Sequence, residues 1–418
     1  MLVLNILKLI VCILFLLCYF HQFVYIVYTV FKKPKTYPQA EKNKRYAILI
    51  SARNEEGVIG LLLDSIALQD YPAELIDVYV CADNCTDSTA DVCRQKGAVV
   101  YERNDLEKIG KGYALEYMMG EIYGLHGEDY YDAYFVIDAD NLLAETFISE
   151  MHNCFCDGNR IVTCYRNSKN YGDNWVSAGA GLWFLHVAKH LNNARTLFNN
   201  TATVSGTGFM VHKDIFKRQG GWKHFLLTED IEFTVDNAIK GEKIAYCHAA
   251  VVYDEQPTKF TQSWRQRLRW SRGHLQILGK YGGRLIGKTV KERSFPCYDM
   301  LMNVAPAFIL TVATFILNVV SLILSLITAP DQALHSVMGF FLVCLGGLVM
   351  FFLIGIVTCI TEWKYIGAGT GKKLWSMITF PVFMMTYTLI AVEALFLPKL
   401  QWKPIVHTAR VSIEEMKK

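Results

Sequence analysis

Apolar and polar positions divide the chain into four long apolar runs and one mixed stretch. Residues 9–31, 304–330, 336–360 and 374–392 contain no Asp, Glu, Lys or Arg. Each run is about as long as the roughly 20 residues that an α-helix needs to cross a bilayer. The stretch at 32–303 is mixed in charge and has no such run, so it predicts a soluble domain.

The amino-terminal run predicts a retained membrane anchor. It lacks a cleavage site of small residues, and it is too long for a signal peptide. Lys32, Lys33 and Lys35 follow at once, and the positive-inside rule then places the next domain in the cytosol. The predicted segments are a transmembrane helix at 1–31, a cytosolic domain at 32–260, amphipathic interface helices at 261–303, transmembrane helices at 304–397 and a tail at 398–418.

The charge of the tail conflicts with the number of apolar runs. Three passes after a cytosolic domain would leave the tail outside, but its basic residues favour the cytosol. These residues are Lys399, Lys403, Arg410, Lys417 and Lys418. A re-entrant run around Pro381 or two passes within 294–330 would remove the conflict, and the sequence leaves both open. Glu393 predicts either a carboxylate that is buried in protein or lines a polar path, such as a sugar-polymer channel, or a solvated position at the interface.

The stretch at 46–141 alternates short apolar segments with segments of helical periodicity. Strands open the segments 46–56 and 76–97, further strands lie in 98–105 and 133–141, and helices lie in 58–72 and 110–124. This alternation predicts an α/β fold with a parallel sheet covered by helices. Ligands of such sheets bind beyond the carboxyl ends of the strands. The polar residues predicted at those ends are Glu55, Asp83, Asp138 and Asp140.

Cysteine spacing and net charge exclude two classes of protein. The chain has 12 Cys, but Cys154 and Cys156 are too close together for a zinc site and no finger-like His follows. A cytosolic domain keeps its thiols reduced, so packing roles are expected. The formal net charge of +3 predicts no large basic face, and therefore no nucleic-acid partner.

Asp138 and Asp140 end an apolar strand and are separated by one residue. Residues two apart on an extended chain share one face, where two carboxylates repel each other unless a cation lies between them. Mg²⁺ or Mn²⁺ with substrate phosphates fits such a pair of oxygen ligands. The alternative is a solvated turn in which Asp138 caps the next helix.

Two further motifs admit two interpretations each. Glu229 and Asp230 open a helical segment, where one carboxylate predicts a general base or both merely complement the helix dipole. The glycine-rich 204–211 predicts either backbone amides presented to a sugar or a hairpin turn.

The stretch at 264–274 predicts an amphipathic helix. Gln266, Arg269 and Trp270 share one face, where Arg can grip a diphosphate and Trp can stack on a sugar. The alternative is a basic helix on lipid headgroups, and the two interpretations are compatible because a helix has two faces. The residues that favour headgroups are Arg265, Arg267 and Arg272.

Taken in order, these motifs resemble those of the processive, membrane-integrated members of glycosyltransferase family two, which include cellulose, hyaluronan, chitin and poly-N-acetylglucosamine synthases. The shared signature is Asp-x-Asp at 138–140, Thr-Glu-Asp at 228–230 and Gln-x-x-Arg-Trp at 266–270. The strings "ADNCTDSTA", "GKGYAL" and "DADN" look like the exopolysaccharide and bacterial β-glucan branch. The resemblance covers about residues 46–300, and it implies a cytosolic Rossmann-like domain of the GT-A type.

The resemblance also implies roles for individual residues. Those implied to hold the nucleotide sugar are Ala52, Glu55, Asp83, Lys111, Asp138 and Arg269. Those implied to contact the acceptor are Ser205, Gly206, Thr207, Gln266 and Trp270. Asp140 with Asp138 is implied to hold Mg²⁺ or Mn²⁺, and Asp230 is implied to be the base beside a second catalytic carboxylate, Glu229.

Three functions remain open at this stage. The first is an inverting synthase that polymerises a β-glucan from UDP-glucose and exports it through its own channel. The second is a non-processive transferase that adds one sugar to a membrane lipid, and the third is a scaffold with an inactive transferase domain. The expected partners are a UDP-sugar, a growing polysaccharide and the bilayer of a plasma membrane that the chain crosses several times. Export or accessory proteins are left open.

Overall fold

The structure is a computed structural model that describes residues 2–328, 330, 333–396 and 411–416. Helix α1 (Leu2–Phe31) comes first, and a sheet of eight strands follows. The strands are β1 (Tyr46–Ala52), β2 (Ile76–Asp83), β3 (Val99–Arg103), β4 (Ala133–Asp138), β5 (Leu142–Leu143), β6 (Ile161–Ser168), β7 (Phe209–His212) and β8 (Ile244–Asp254).

The strands lie in the order β3-β2-β1-β4-β7-β6-β8-β5. The predicted parallel sheet is confirmed for β1 to β4, which run parallel. Beyond β4 the sheet is mixed, because β7 is antiparallel to β4 and β6. The chain reaches β7 at the carboxyl end of β4, where Phe209 pairs with Val136, so β7 has to run the opposite way. As a result the segment before β7 lies at the ligand edge of the sheet.

Helices surround the sheet. They are α2 (Ile59–Ala67), α3 (Thr89–Gln95), α4 (Lys111–His126), α5 (Phe147–Cys156), α6 (Trp175–His186), α7 (Asn193–Leu197), α8 (Lys213–Gln219) and α9 (Glu229–Ile239). A 3₁₀ turn (Ala73–Leu75) precedes β2, and a π-helical turn (Val187–Asn192) joins α6 to α7.

Both faces of the sheet are covered, which explains why β1 is apolar at nearly every position. Leu49 packs with Leu115 of α4 in one cluster, whereas Ile48 packs with Leu62 of α2 in another. Burying a side chain of this size stabilises the fold by about 1.5–3 kcal/mol. The two clusters therefore hold the carboxyl edge of the sheet in a fixed position.

The carboxyl-terminal part is helical. Its helices are α10 (Phe260–Lys291), α11 (Phe295–Val304), α12 (Pro306–Thr328), α13 (Ala333–Thr361), α14 (Thr370–Phe396) and α15 (Ile413–Met416). Four helices in the described part of the chain are long and apolar enough to cross a bilayer: Leu2–Phe31, Ile309–Thr328, Ala333–Thr361 and Thr370–Phe396. They coincide with the four apolar runs of the sequence.

The helices do not match either of the two arrangements that would place the basic tail in the cytosol, namely two passes within 294–330 or a re-entrant run around Pro381. Among the described residues of 294–330, one helix has spanning length, because α11 has 10 residues. Helix α14 continues through Pro381, so the last run is one helix rather than a re-entrant pair. The basic tail residues Lys399, Lys403, Arg410, Lys417 and Lys418 lie outside the described residues.

A buried ion pair joins α7, which lies beside the sheet, to α11 of the carboxyl-terminal helical part. Arg195 of α7 donates to both carboxylate oxygens of Asp299 of α11, at 3.0 and 2.8 Å, and neither side chain is exposed. Tyr25 of α1 and Asn200 also donate to this carboxylate, at 3.0 and 2.7 Å. Burial alone would raise the pKa of Asp299, but Arg195 and His21 hold this pKa well below its usual range.

Candidate active site

The carboxyl ends of β1, β2 and β4 open into a cavity of about 1190 Å³. Glu55, Asp83 and Lys111 line it together with the Asp138–Asp140 turn, so the structure brings most of the expected nucleotide residues together. Ala52 is an exception, because it is buried at the end of β1 and does not line the cavity. Its role as a nucleotide contact stays a prediction.

Two loops beside the cavity are joined by hydrogen bonds between their main chains and side chains. The loop after β1 contains Asn54, which has a left-handed φ of 58° and accepts from the Thr86 N–H at 2.8 Å. Glu56 accepts from the Ser88 N–H at 2.9 Å, and the Glu55 N–H donates to Thr89 at 2.8 Å. These contacts fix the wall on which Glu55 lies.

Asp83 at the end of β2 is held by Arg103, a residue that sequence reasoning missed. Arg103 donates to Asp83 at 2.5 Å, and both side chains are buried. Burial raises the pKa of Asp83 despite the nearby guanidinium. An Arg twenty residues away carries no sequence signal for this pairing, since only the parallel register of β2 and β3 brings it there.

Lys111 lies between the donor side and the acceptor loop. Its Nζ contacts Asp138 Oδ1 and donates to the Gly206 carbonyl at 2.7 Å. Burial alone would lower the pKa of Lys111, but the charges of Asp138, Glu229 and Asp230 together with the hydrogen bond to Asp138 raise this pKa. A donor diphosphate bound here would face the Lys111 ammonium, which already contacts Asp138 Oδ1 and the Gly206 carbonyl oxygen.

The side chains at the Asp138–Asp140 turn offer the ligand type that a hard divalent cation needs. Asp138 and Asp140 both line the cavity and offer only oxygens, the ligand type that Mg²⁺ and Mn²⁺ prefer. Among the described residues, no group of three or more His, Cys, Asp or Glu converges as a metal site. Two carboxylates completed by donor phosphates are a normal Mg²⁺ arrangement, so the residues fit a metal that arrives with its nucleotide.

The expected acceptor loop lies directly beside the carboxylates. A Cβ placed on Gly206, which has a φ of 83°, would lie 3.8 Å from both Asp138 Oδ2 and Asp230 Oδ2. Gly206 therefore lies between Asp138, which is expected to face the donor, and Asp230, the expected base. Ser205 lines the cavity as well, whereas Thr207 is buried and supports the loop by accepting from the Asp138 N–H at 2.9 Å.

The two carboxylates of the Thr-Glu-Asp motif begin α9 and line the cavity. Burial raises the pKa of Glu229 to about 7, with a further contribution from the charge of Asp230. Burial also raises the pKa of Asp230, although Lys111 and Arg269 oppose the shift. Both carboxylates thus have a raised pKa, and Asp230 is the one that lies at Gly206.

Glu232 fixes the segment in front of this motif, and sequence reasoning missed it. It is buried and accepts from the Phe225 and Leu226 N–H groups at 2.8 and 2.9 Å. Lys280 and Tyr281 of α10 donate to its other oxygen at 2.6 and 3.0 Å. A buried Glu looks the same in a sequence as a solvated one, so no signal marked it.

Helix α10 places Gln266, Arg269 and Trp270 along the cavity, which confirms that they share one face. Arg269 donates to the Leu227 carbonyl at 3.0 Å, and the Trp270 ring lies edge-on to Phe184 at 5.9 Å. The donor and acceptor contacts expected of these three residues stay predictions.

The opposite face of α10 corrects part of the headgroup interpretation. Arg265 is exposed, but Arg267 is buried and donates to the Phe383 carbonyl and the Thr386 hydroxyl of α14, at 3.1 and 2.6 Å. Arg272 donates to the Ala394 carbonyl at 3.2 Å. Glu393 accepts from the Trp264 indole N–H at 2.7 Å, so it joins α14 to α10. Glu393 is therefore held by a contact within the protein, in line with the prediction that it is buried in protein or lines a polar path, rather than simply solvated.

Arg166 of β6 and Asp254 of β8 form a further pair at the site. Arg166 donates to Asp254 at 2.9 Å through Nε and to the Ser205 carbonyl at 2.6 Å through Nη1. It therefore holds one carbonyl of the acceptor loop while Lys111 holds the next. No motif of the sequence pointed to this pair.

An open, mixed α/β sheet with this carboxylate edge is the GT-A fold of glycosyltransferases. Residues 43–273 match the family described as glycosyltransferase like family 2, which is more than half of the chain. The chain belongs to this family. Membership implies a nucleotide-sugar-dependent glycosyltransferase, as the sequence motifs predicted.

Curated relatives share about a quarter of their residues with the chain. A probable glycosyltransferase of Bacillus subtilis, YdaM, is 26% identical over 59% of this chain and 59% of its own length. The β-monoglucosyldiacylglycerol synthase of Synechocystis is 25% identical over 57% of this chain and 48% of its own. The poly-β-1,6-N-acetyl-D-glucosamine synthase of Staphylococcus aureus is 22% identical over 68% and 66%. The chain thus spans only about half to three fifths of the first two relatives.

A solved structure supports the fold. The mannosyltransferase PcManGT of Pyrobaculum calidifontis, in complex with GDP-Man and Mn²⁺, has a TM-score of 0.59 and 16% identity. The similarity covers 93% of this chain and 99% of that one. At this level of identity the likeness concerns the fold alone.

Proposed function

We propose that this chain transfers a sugar from a nucleotide donor to a lipid acceptor that reaches the site from the bilayer. The observation that supports this proposal is the extent of the cavity. The cavity that contains Asp138 and Asp230 is also lined by residues of α1, α12, α13 and α14, which include Phe15, Thr311 and Met350. The expected base therefore shares one space with the membrane helices.

The walls in the helical part favour hydrocarbon over a polysaccharide. Much of the lining from α13 and α14 is apolar, namely Phe340, Val343, Met350, Phe351, Ile354 and Met384. Leu16 and Val343 line the cavity and are still 57% and 46% exposed, so the cavity reaches the outer surface of these helices. A surface of this kind faces acyl chains in a bilayer, and a lipid could slide in from the side.

The reaction follows from the placement of the charged groups. Asp138 and Asp140 would hold the donor diphosphate through Mg²⁺ or Mn²⁺, which supplies positive charge against the leaving group. Asp230 accepts the proton of the acceptor hydroxyl while that oxygen bonds to the anomeric carbon. The bond from this carbon to the diphosphate breaks, and its electron pair leaves with the diphosphate. Attack opposite the leaving group inverts the anomeric carbon, so an α-linked donor such as UDP-glucose gives a β-linked product.

Polymerisation of a β-glucan with export is the second candidate. It is favoured by Trp270, which lines the cavity and offers a ring for a sugar of a growing chain. A polysaccharide synthase is also among the relatives. The apolar walls argue for the lipid acceptor, which the glucosyldiacylglycerol synthase among the relatives also uses by its name.

The proposal includes a location. The chain would cross the plasma membrane several times and keep its catalytic domain in the cytosol, where Lys32, Lys33 and Lys35 follow α1. Labelling of the half-buried Cys85 with an impermeant maleimide tests this placement in intact and opened cells. Labelling only after opening supports the cytosolic side, and equal labelling in intact cells contradicts it.

Product analysis tests the acceptor. The full chain in lipid nanodiscs is incubated with Mg²⁺, diacylglycerol and radiolabelled UDP-glucose, UDP-N-acetylglucosamine or GDP-mannose in turn. Label that moves into the organic phase supports the lipid acceptor. Label in insoluble material that β-glucanase digests would establish the polymer instead, and an Asp230→Asn variant gives the background.

A further inference from the structure

The far end of the cavity contains two polar side chains inside helices of membrane length. Lys8 of α1 and Asn318 of α12 both line the cavity. Tyr19 of α1 donates to the Met302 carbonyl at 2.9 Å and contacts the Ala307 N–H, which fixes the register of the antiparallel helices. Lys8 and Asn318 each lie eleven residues from this contact, or about 16 Å along their helices, so they lie at the same depth.

Asn318 needs a hydrogen-bond donor that the protein does not provide. Its side chain is 3% exposed, and its Nδ2 donates to the Thr314 carbonyl at 2.8 Å. That bond fixes which atom of the amide is the nitrogen, since a carbonyl only accepts. Within the described residues, Oδ1 of Asn318 has no hydrogen-bond partner. A buried acceptor without a donor is costly, and it points to a ligand with an O–H or N–H group.

Lys8 supplies the complementary group. It is half-buried in a helix that has no other Lys, Arg, Asp or Glu, and no ion pair to it occurs among the residues that the structure describes. Ionisable side chains at such positions usually face a polar path. The ammonium only donates, whereas Asn318 Oδ1 only accepts. A sugar hydroxyl does both, a phosphate would leave Oδ1 without a donor, and a hydrocarbon chain would satisfy neither residue.

We propose that Lys8 and Asn318 form a sugar-binding site in the membrane part of the cavity. This site receives the sugar headgroup of the glycolipid product after it leaves Asp230, and so allows the headgroup to pass toward the opposite leaflet. Gln22, Thr311 and Thr314 line the same cavity and offer polar groups along the way. The sugar-bearing lipid as ligand rests on the proposed function, but the passage step is separate from the transfer reaction.

The test uses a glycolipid made beforehand, so it needs neither donor nor transfer. The full chain is reconstituted in phosphatidylcholine vesicles that contain a trace of headgroup-tritiated monoglucosyldiacylglycerol. Periodate added outside oxidises only headgroups in the outer leaflet. With the wild type, headgroups from the inner leaflet should move to the outer leaflet and become oxidised over time. Asn318→Leu or Lys8→Leu should slow this oxidation by about tenfold, the loss expected from one hydrogen bond.

Matched variants keep the test specific. Asn5→Leu makes the same change one turn from Lys8 at an exposed position that does not line the cavity, so it should pass headgroups at the wild-type rate. Asn318→Gln keeps the amide and should restore most of the rate. Wild-type vesicles no faster than empty ones, or an Asn318→Leu rate equal to that of Asn5→Leu, would overturn the proposal. Passage without any transfer activity would instead reject only the proposed function.

Discussion

At the donor end of the cavity the walls come from loops after β1, β2 and β4, whereas at the membrane end they come from α1, α12, α13 and α14. The donor end is held by directional hydrogen bonds such as Asn54 to Thr86 and Arg103 to Asp83. The membrane end is lined by flexible side chains that include Met350, Met384 and Met385. Met fills irregular spaces readily, so the membrane end is the more adaptable of the two, and under the proposed function it would fit acyl chains of varied shape.

The two ends meet at Asp230, where the largest effect is expected. Asp230→Asn keeps the shape but removes the proton acceptor, so turnover should fall by about 10²–10⁴-fold. Nucleotide affinity, followed by calorimetry, should stay unchanged because Asp138 and Asp140 are intact. Glu229→Gln is the matched variant and should keep more activity. The reverse ranking of the two variants would make Glu229 the base.

The contact between the part of the chain that contains the sheet and the carboxyl-terminal helices is tested by replacing Arg195 of α7, which pairs with Asp299 of α11. Arg195→Met leaves Asp299 buried without its cation, so the free energy of unfolding should fall by about 3–5 kcal/mol. Tyr25→Phe removes one hydrogen bond to the same carboxylate and should cost about 1 kcal/mol. Arg94→Met, at an exposed pair with Asp91, is the control and should leave thermal unfolding unchanged. Equal melting temperatures for Arg195→Met and Arg94→Met would show that the Arg195–Asp299 pair does not stabilise the contact between α7 and α11.

A smaller loss of stability is expected when the close contact between α10 and Thr228 of the Thr-Glu-Asp motif is disturbed. A Cβ on Gly273 would lie 2.4 Å from Thr228 Oγ1, so Gly273→Ala should push the helix away and cost about 1–3 kcal/mol. Gly279 on the same helix has no atom within 4 Å of such a Cβ. Gly279→Ala should therefore stabilise the helix slightly, by up to about 1 kcal/mol. Opposite shifts in melting temperature are the expected result.

The last effect is a dependence of stability on pH. Burial raises the pKa of Glu229 from 4.5 to about 7, so between these pH values the folded chain binds more protons than the unfolded one. The contribution of this group to stability is then present below about pH 4.5 and is lost as pH rises to about 7. Glu229→Gln should flatten the decline in melting temperature across this window. Parallel curves for the two proteins would show that Glu229 is not the cause.

The sequence could predict the elements that depend on interactions between residues close together in the chain. Strand β4 ends at Asp138 and α4 begins at Lys111 because apolar periodicity and turn residues act locally. The direction of β7 was missed, since it depends on where a distant segment meets β4. The same reason applies to Arg166 with Asp254 and to Glu393 with Trp264, whose partners lie far along the chain.

The site was predicted unevenly for the same physical reason. Asp138, Asp140 and Asp230 stand in short motifs, and the structure brings them to one cavity. Lys8 directly precedes the first apolar run and Asn318 lies in the second, and only the packing of α1 on α12 places them at one depth. Composition identified these helices as apolar, but it could not show which of their faces enclose a cavity.

Helix α1 has one further consequence. Its Tyr25 completes the hydrogen bonds of Asp299, its Thr29 contacts His190 at 2.8 Å, and its Phe15 forms part of the cavity wall. Removing residues 1–31 to obtain a soluble enzyme would therefore take away part of the folded core rather than a tether. Such a fragment would have to replace these contacts with solvent or detergent.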